Sequence, residues 1–140
     1  MKKRLTAVII ILVNMATGMF VCATEYFGSE FMTLSIAEKK WGVKTLSAEQ
    51  FKSGELSKRA PMAVDIVKRS LFIGKSRKTI RQELGDPDSY FFSDTIYAYK
   101  IMPFPGKNME IWHLVFIPDD KLEKISEVKI HKKCCYKLPF

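Results

Sequence analysis

The sequence predicts an α+β fold in which two helices pack on a three-stranded antiparallel sheet, a meander, behind an irregular N-terminal arm. The stretch from Ser76 to Pro87 has the signals of a short capped helix and of its exit. Runs rich in β-branched and aromatic residues follow, and short turn sequences separate them. Consecutive strands joined by short turns pair antiparallel, which predicts the sheet.

The first 23 residues have the pattern of an export signal. A basic run at residues 2–4 precedes an apolar stretch, and the segment ends on Ala23. We therefore expect residues 1–23 to be a signal peptide, and the chain to be periplasmic or envelope-associated after export. An uncleaved anchor is the alternative, because Leu5–Ala23 approaches the ~20 residues that span a bilayer.

Lipid attachment at Cys22 is a further alternative for this segment. The preceding residue is Val21, where a lipoprotein signal normally carries Gly, Ala or Ser. The bulky Val21 therefore argues against a lipid anchor. If cleavage removes Cys22, the adjacent pair Cys134-Cys135 remains. That pair could be bonded internally with strain, bonded to another chain or reduced, and the sequence leaves these states open.

The chain is basic, with a formal net charge of +8. Removing Lys2, Lys3 and Arg4 lowers the basic count from 23 to 20 against 15 acidic residues, which leaves +5. This excess favours an acidic protein surface or an anionic membrane surface, through attraction that salt screens. We expect no nucleic-acid partner, because no recognition motif is visible and an exported protein rarely meets nucleic acid.

Residues 24–59 show no sustained periodicity and predict the irregular arm. The large aromatic residues Trp41 and Phe51 are expected to dock this arm on the folded domain, since such side chains bury much area. Ser47 with Gln50 three residues later has the pattern of a capping box, which predicts a short helix there.

Two further helices are predicted before the strands. The first begins at Pro61, a residue suited to a helix start, and ends near Leu71. The second is capped by Ser76, ends at Gly85 in a left-handed conformation and cannot continue through Pro87. Its basic residues are interpreted as a solvated helix face and not as a DNA-reading element; they are Lys75, Arg77, Lys78 and Arg81.

The strands are predicted from alternation and from turn residues. A short run at Tyr90-Phe91-Phe92 comes first, and the longer strands cover Thr95–Ile101, Met109–Ile117 and Leu122–His131. One face of the sheet is expected to be buried by the helices, and the other to meet water or a partner.

Part of the chain, from Met62 to Ile130, resembles a known family. The residues that carry the resemblance are Met62-Ala63-Val64-Asp65-Ile66, Gly74-Lys75-Ser76, Ile80, Leu84-Gly85-Asp86-Pro87, Leu114-Val115-Phe116 and Val128-Lys129-Ile130. The pattern resembles the SmpA/OmlA/BamE-like small periplasmic lipoproteins. This resemblance implies two helices on a three-stranded antiparallel sheet, as in β-lactamase inhibitor proteins, with a domain at 60–133 and a tail at 134–140. It also implies a non-enzymatic module that contacts envelope proteins or the outer membrane.

Little in the sequence indicates catalysis. The two histidines lie on different predicted strands, and His131 beside Cys134-Cys135 lacks the ligand spacing of usual zinc sites. We expect no enzymatic activity, no metal site and no cofactor. The paired carboxylates stand beside prolines, where aspartate forms turns; they are Asp86 with Asp88 and Asp119 with Asp120.

The aromatic residues of the predicted sheet form the better candidate surface, since exposed Tyr and Trp are typical interface anchors. The residues expected to bind a partner are Tyr97, Tyr99, Phe104, Lys107 and Trp112. Together the observations predict an exported, non-enzymatic binding or assembly module of the bacterial cell envelope that acts through protein–protein contacts. The alternative is a periplasmic or secreted inhibitor or immunity protein that binds an enzyme through the same surface.

Overall fold

The computed structural model describes residues 30–102 and 111–133. The predicted signal peptide at 1–23, residues 24–29 of the arm and the tail at 134–140 lie outside the described residues. The elements in chain order are β1 (Glu30–Met32), α1 (Leu34–Trp41), α2 (Ala48–Lys52), α3 (Leu56–Lys68), α4 (Arg77–Leu84), β2 (Ser89–Phe91), β3 (Ser93–Lys100), β4 (Ile111–Pro118) and β5 (Ile125–Lys133). Within the described ranges, none of these helices has the length and apolar character that a bilayer crossing requires.

The strands form one antiparallel sheet in the order β1-β5-β4-β3-β2. Consecutive strands from β2 to β5 are neighbours, so the predicted antiparallel meander is confirmed, as is the α+β class. β1 adds to the outer side of β5, where Phe31 lies opposite His131. The expectation of two helices on three strands is only roughly met, because the described residues form four helices and five strands.

The N-terminal segment, expected to be an irregular arm, is folded from Glu30 onward into β1, α1, α2 and the first turn of α3. Elements of 3, 8 and 5 residues are too short to show a sustained period in a sequence. Packing stabilises them, because Ala37 and Phe51 are fully buried in the common core. The docking role predicted for the two aromatic residues is confirmed, since Trp41 also packs against Trp112 with ring centroids 5.7 Å apart.

The core lies between the helices and one face of the sheet. Residues directly opposite on paired strands share a face, and the register places two rows of side chains beneath the helices. These rows are Tyr97, Phe116 and Val128, and next to them Tyr99, Leu114 and Ile130. The helices cover them with fully buried apolar side chains, among them Met62 and Ile66 of α3 and Ile80 and Leu84 of α4.

Helix α3 differs from its prediction, since it begins at Leu56 and contains Pro61 in its interior. The turn before Pro61 shows no apolar stripe because the larger of its two buried residues is charged: Arg59 is 4 % exposed, and the other buried residue is the small Ala60. Arg59 Nε donates a 2.8 Å hydrogen bond to Phe51 O, and Nη1 forms a 2.5 Å ion pair with Asp88. Tertiary pairing thus extends this helix beyond the start that local signals indicate. Its C-terminus comes at Lys68, earlier than predicted.

Helix α4 follows its prediction closely. The Ser76 hydroxyl accepts a 3.2 Å hydrogen bond from Thr79 N–H, as an N-cap does. Gly85 follows the last turn with φ of 87°, in the left-handed region that glycine adopts without strain. Between these signals, Ile80 and Leu84 are buried on the face that packs on the sheet. The short helix predicted after Ser47 is likewise present, with the Ser47 hydroxyl accepting from Gln50 N–H.

The sheet face away from the helices is curled and partly closed. Phe31 of β1 and Phe91 of β2 belong to opposite edge strands, which in a flat five-stranded sheet would be about 19 Å apart. Their ring centroids are nevertheless 6.1 Å apart, and both rings contact His131. His131 and its cross-strand neighbour His113 are each 4 % exposed. The centre of this face is therefore buried, contrary to the expectation that it meets water or a partner.

Candidate binding surface around Tyr97

The predicted partner-binding residues do not form one surface. Tyr99 is fully buried, and its hydroxyl donates a 2.7 Å hydrogen bond to Gly85 O. Burial raises the pKa of Tyr99 well above that of a free tyrosine, so its phenol stays protonated. Trp112 is 4 % exposed and packs between the core and Trp41. The assignment of Tyr99 and Trp112 to a partner surface is therefore wrong, because both side chains lie beneath the helices.

Two of the other predicted site residues, Phe104 and Lys107, lie outside the described residues. Of the predicted site residues that the structure describes, Tyr97 is the one that reaches a surface. It is half-buried and lines an open pocket of about 440 Å³, here called the Tyr97 pocket. The other described residues that line this pocket are Arg77, Lys78, Arg81 and Gln82 of α4.

Helical spacing explains why these α4 residues line one pocket. Ile80 and Leu84 fix the orientation of α4 by packing into the core. Arg77 and Arg81 are four residues apart and therefore lie one above the other on the helix. Lys78 follows Arg77 around the helix, away from the buried stripe. Tyr97, on β3 of the sheet, lines the same pocket.

The two arginines are held at the Tyr97 ring. The Arg77 guanidinium lies 5.7 Å from the ring centroid of Tyr97, and its Nη1 donates a 3.5 Å hydrogen bond to Thr95 O. Arg81 forms an ion pair with Asp86, and its Nε donates a 2.8 Å hydrogen bond to that carboxylate. The Asp86 carboxylate, with a smaller contribution from the Tyr97 phenol, raises the pKa of Arg81. The positions of both arginine side chains at the pocket are thus defined by contacts.

The electrostatic character of the Tyr97 pocket is positive. Among the described residues, Arg77 and Lys78 belong to no ion pair, and none of the described lining residues is acidic. The acidic residue of α4, Glu83, lies on another side of the helix, where it pairs with Lys75 at 3.1 Å. Cations without local counter-charges attract anionic groups from solution. The arrangement is therefore suited to binding an anion.

The exposed ring of Tyr90 continues this surface. The Tyr90 ring packs edge-on against Tyr97 at 6.1 Å, and the residue is 53 % exposed. Phe92, at the turn between β2 and β3, is 84 % exposed. The sequence alone predicts a solvated helix face for the basic residues of α4. The sequence signal for the pocket is the spacing of Arg77 and Arg81, which are four residues apart beside the buried stripe of α4. That spacing predicts a pocket only once Tyr97 of β3 is known to lie next to the two arginines.

The carboxylates considered as paired acids have structural contacts. Asp88 accepts from Lys100 N–H at 3.1 Å as well as pairing with Arg59. Asp119 Oδ1 accepts from Glu123 N–H at 2.9 Å, which is the turn role predicted for it. Within residues 30–102 and 111–133, no group of three or more His, Cys, Asp or Glu side chains is placed to hold a metal ion.

Comparisons with protein families, curated proteins and solved structures found no match to this chain. The resemblance to the SmpA/OmlA/BamE-like lipoproteins therefore stays a prediction, and the fold described above stands on its own geometry.

Proposed function

We propose that this chain is a non-enzymatic binding or assembly module of the bacterial cell envelope, which contacts a partner protein through the Tyr97 pocket. The observation that carries the proposal is an open, positively charged pocket, where Arg77 and Lys78 have no ion-pair partner among the described residues. Arginine, lysine and tyrosine side chains supply the charge and the aromatic surface through which proteins recognise one another.

The envelope location in this proposal comes from the sequence. The N-terminal basic and apolar pattern is typical of export, and the resemblance to small periplasmic lipoproteins favours the same compartment. The net positive charge supports an acidic partner, because attraction of opposite charges speeds encounter and suppresses unsuitable partners.

Photocrosslinking from the pocket tests the proposal. A photoreactive phenylalanine analogue is placed at position 78, and at position 39 as the matched control, and cells expressing each chain are irradiated. Lys39 is also an exposed helical lysine, on α1, and is not in an ion pair among the described residues. We expect one envelope protein to crosslink from position 78 and not from position 39.

The captured protein is then purified and its binding measured directly. We expect it to bind the wild-type chain in a one-to-one complex and to bind the Lys78→Glu variant more weakly. Equal crosslinking from both positions, or no crosslink from position 78, would contradict the proposal. If the captured protein is an enzyme that loses its activity at a one-to-one ratio, the inhibitor or immunity alternative replaces the assembly role.

A further inference from the structure

The positive charge of the Tyr97 pocket is carried by separate side chains spread along α4. Arg77 and Arg81 are four residues apart, a spacing of about 6 Å between Cβ atoms, and Lys78 lies on the outer side. Arg81 is already paired with Asp86. The charges left for a ligand, those of Arg77 and Lys78, belong to successive residues, which project about 100° apart around a helix.

The start of α4 adds little for a compact anion. Phosphate groups bind helix N-termini through backbone N–H groups that converge on the anion. Here the Ser76 hydroxyl already accepts from Thr79 N–H at 3.2 Å, so the helix satisfies this donor itself. Separated side-chain cations suit several carboxylates along a chain better than they suit a single phosphate.

The aromatic side chains at the pocket indicate which uncharged groups a ligand would carry. Tyr97 is half-buried beneath Arg77, and the neighbouring Tyr90 leaves 53 % of its surface exposed. Tyrosine and arginine are enriched where proteins bind other proteins, because both offer flat contact area together with a polar group. A ligand that covers this surface needs an apolar or aromatic side chain as well as negative charge.

We infer that the Tyr97 pocket binds an acidic segment of a partner protein. Carboxylates of that segment pair with Arg77 and Lys78, and an adjacent apolar side chain packs on the exposed ring of Tyr90. The inference rests on the proposed function, since it gives the chemistry of the partner at the same surface.

Titration with synthetic peptides, followed by NMR on the isotope-labelled chain as it is processed in its host, tests the inference. One peptide alternates Glu with Leu and is blocked at both ends; the other replaces every Glu by Gln. We expect the Glu peptide to shift the amide signals of residues 77–82 and of Tyr97. The Gln peptide should bind about two- to thirtyfold more weakly, because it lacks both charge pairs and each exposed pair contributes up to about fivefold. Raising the salt concentration should weaken the binding of the Glu peptide.

A charge reversal separates loss of binding from loss of folding. Lys78→Glu places an acidic residue in the first turn of α4, where the helix dipole favours it. We expect this variant to fold as the wild type does and to bind the Glu peptide about three- to tenfold more weakly. Lys39→Glu, the same change on α1, should leave peptide binding unchanged.

Equal affinity of the two peptides, or unaltered binding by Lys78→Glu, overturns the inference. Vesicles of neutral and anionic phospholipid are the third probe. If the chain binds vesicles through Lys78 but neither peptide, the surface is a membrane site and the inference fails. A protein crosslinked from position 78 together with failure of both peptides overturns this inference alone, whereas the absence of any crosslink removes the proposed function too.

Discussion

Arg59 and Asp88 join the start of α3 to the residue just before β2, with Nη1 and Oδ2 2.5 Å apart. The Arg59 side chain is 4 % exposed, whereas that of Asp88 is 31 % exposed. Arg59 also donates to the carbonyls of Phe51 and Lys100 and lies 4.9 Å from the Phe51 ring centroid. The buried Arg59 side chain therefore connects α2, α3 and β3, and the partly exposed Asp88 supplies its counter-charge.

Asp88→Ala should lower the free energy of unfolding by about 2–3 kcal/mol, because it leaves the buried Arg59 guanidinium without its counter-charge. Denaturant unfolding followed by circular dichroism measures the loss. Asp86→Ala is the matched control, since Asp86 pairs with Arg81 where both side chains are exposed. We expect the control to unfold at the wild-type denaturant concentration. Equal midpoints for the two variants would show that the Arg59 pair does not stabilise the fold.

Asp65 should make stability depend on pH in the acid range. Hydrogen bonds from Arg69 and from Leu46 N–H, the latter 2.9 Å long, lower the pKa of Asp65 below its ordinary 3.8. A carboxyl whose pKa is lowered by folding stabilises the fold above its unfolded pKa. That stabilisation is lost as the pH falls through the lower, folded pKa.

Asp65→Asn should therefore cost about 1–2 kcal/mol at pH 7, and the difference from wild type should shrink below pH 4. Urea unfolding over a series of pH values measures both effects. Glu55→Gln serves as control, because the pKa of Glu55 is also lowered, chiefly by Lys58, but the residue is exposed. A constant difference between Asp65→Asn and wild type down to pH 2 would contradict the prediction.

Tyr99→Phe should destabilise the fold by about 1 kcal/mol, since it removes the donor to Gly85 O and keeps the buried ring. Tyr97→Phe, the same change on the same strand, should unfold almost as the wild type does, because its hydroxyl lies at the open pocket. Thermal unfolding compares the two. Equal loss in both variants would show that the Tyr99 hydrogen bond contributes nothing specific.

Local signals in the sequence predicted the elements that depend on few neighbours. Ser76 and Gly85 delimit α4 through their own backbone chemistry, so the helix could be predicted without tertiary information. α1 and α3 depend instead on distant partners. Arg59 extends α3 because Asp88 lies beside it, and Trp41 ends α1 against Trp112, contacts that no local pattern contains.

The candidate site was only partly predictable for a related reason. Alternation correctly places Tyr97 and Tyr99 on one face of β3, but it does not say which side chains cover each of them. The Phe51 ring of α2 packs on Tyr99, and Gly85 accepts from its hydroxyl, whereas Tyr97 stays half-buried where Arg77 reaches its ring. Which tyrosine is accessible thus follows from packing between helix and sheet, not from either segment alone.

Phe92 combines a left-handed backbone with an exposed ring. Its φ is 59°, a region that costs a residue with a Cβ atom about 1 kcal/mol, and its side chain is 84 % exposed. Asparagine adopts this region more readily than other residues with a Cβ atom. The positive φ of Phe92 therefore costs conformational energy, and the exposed ring of Phe92 gains too little burial to offset that energy.

Phe92→Asn should raise the free energy of unfolding by about 0.5 kcal/mol relative to Phe92→Ala, because both variants lose the ring and only asparagine relieves the backbone. Chemical denaturation of the two variants and wild type measures the difference. Identical stability of Asn and Ala at position 92 would show that the left-handed conformation carries no cost there.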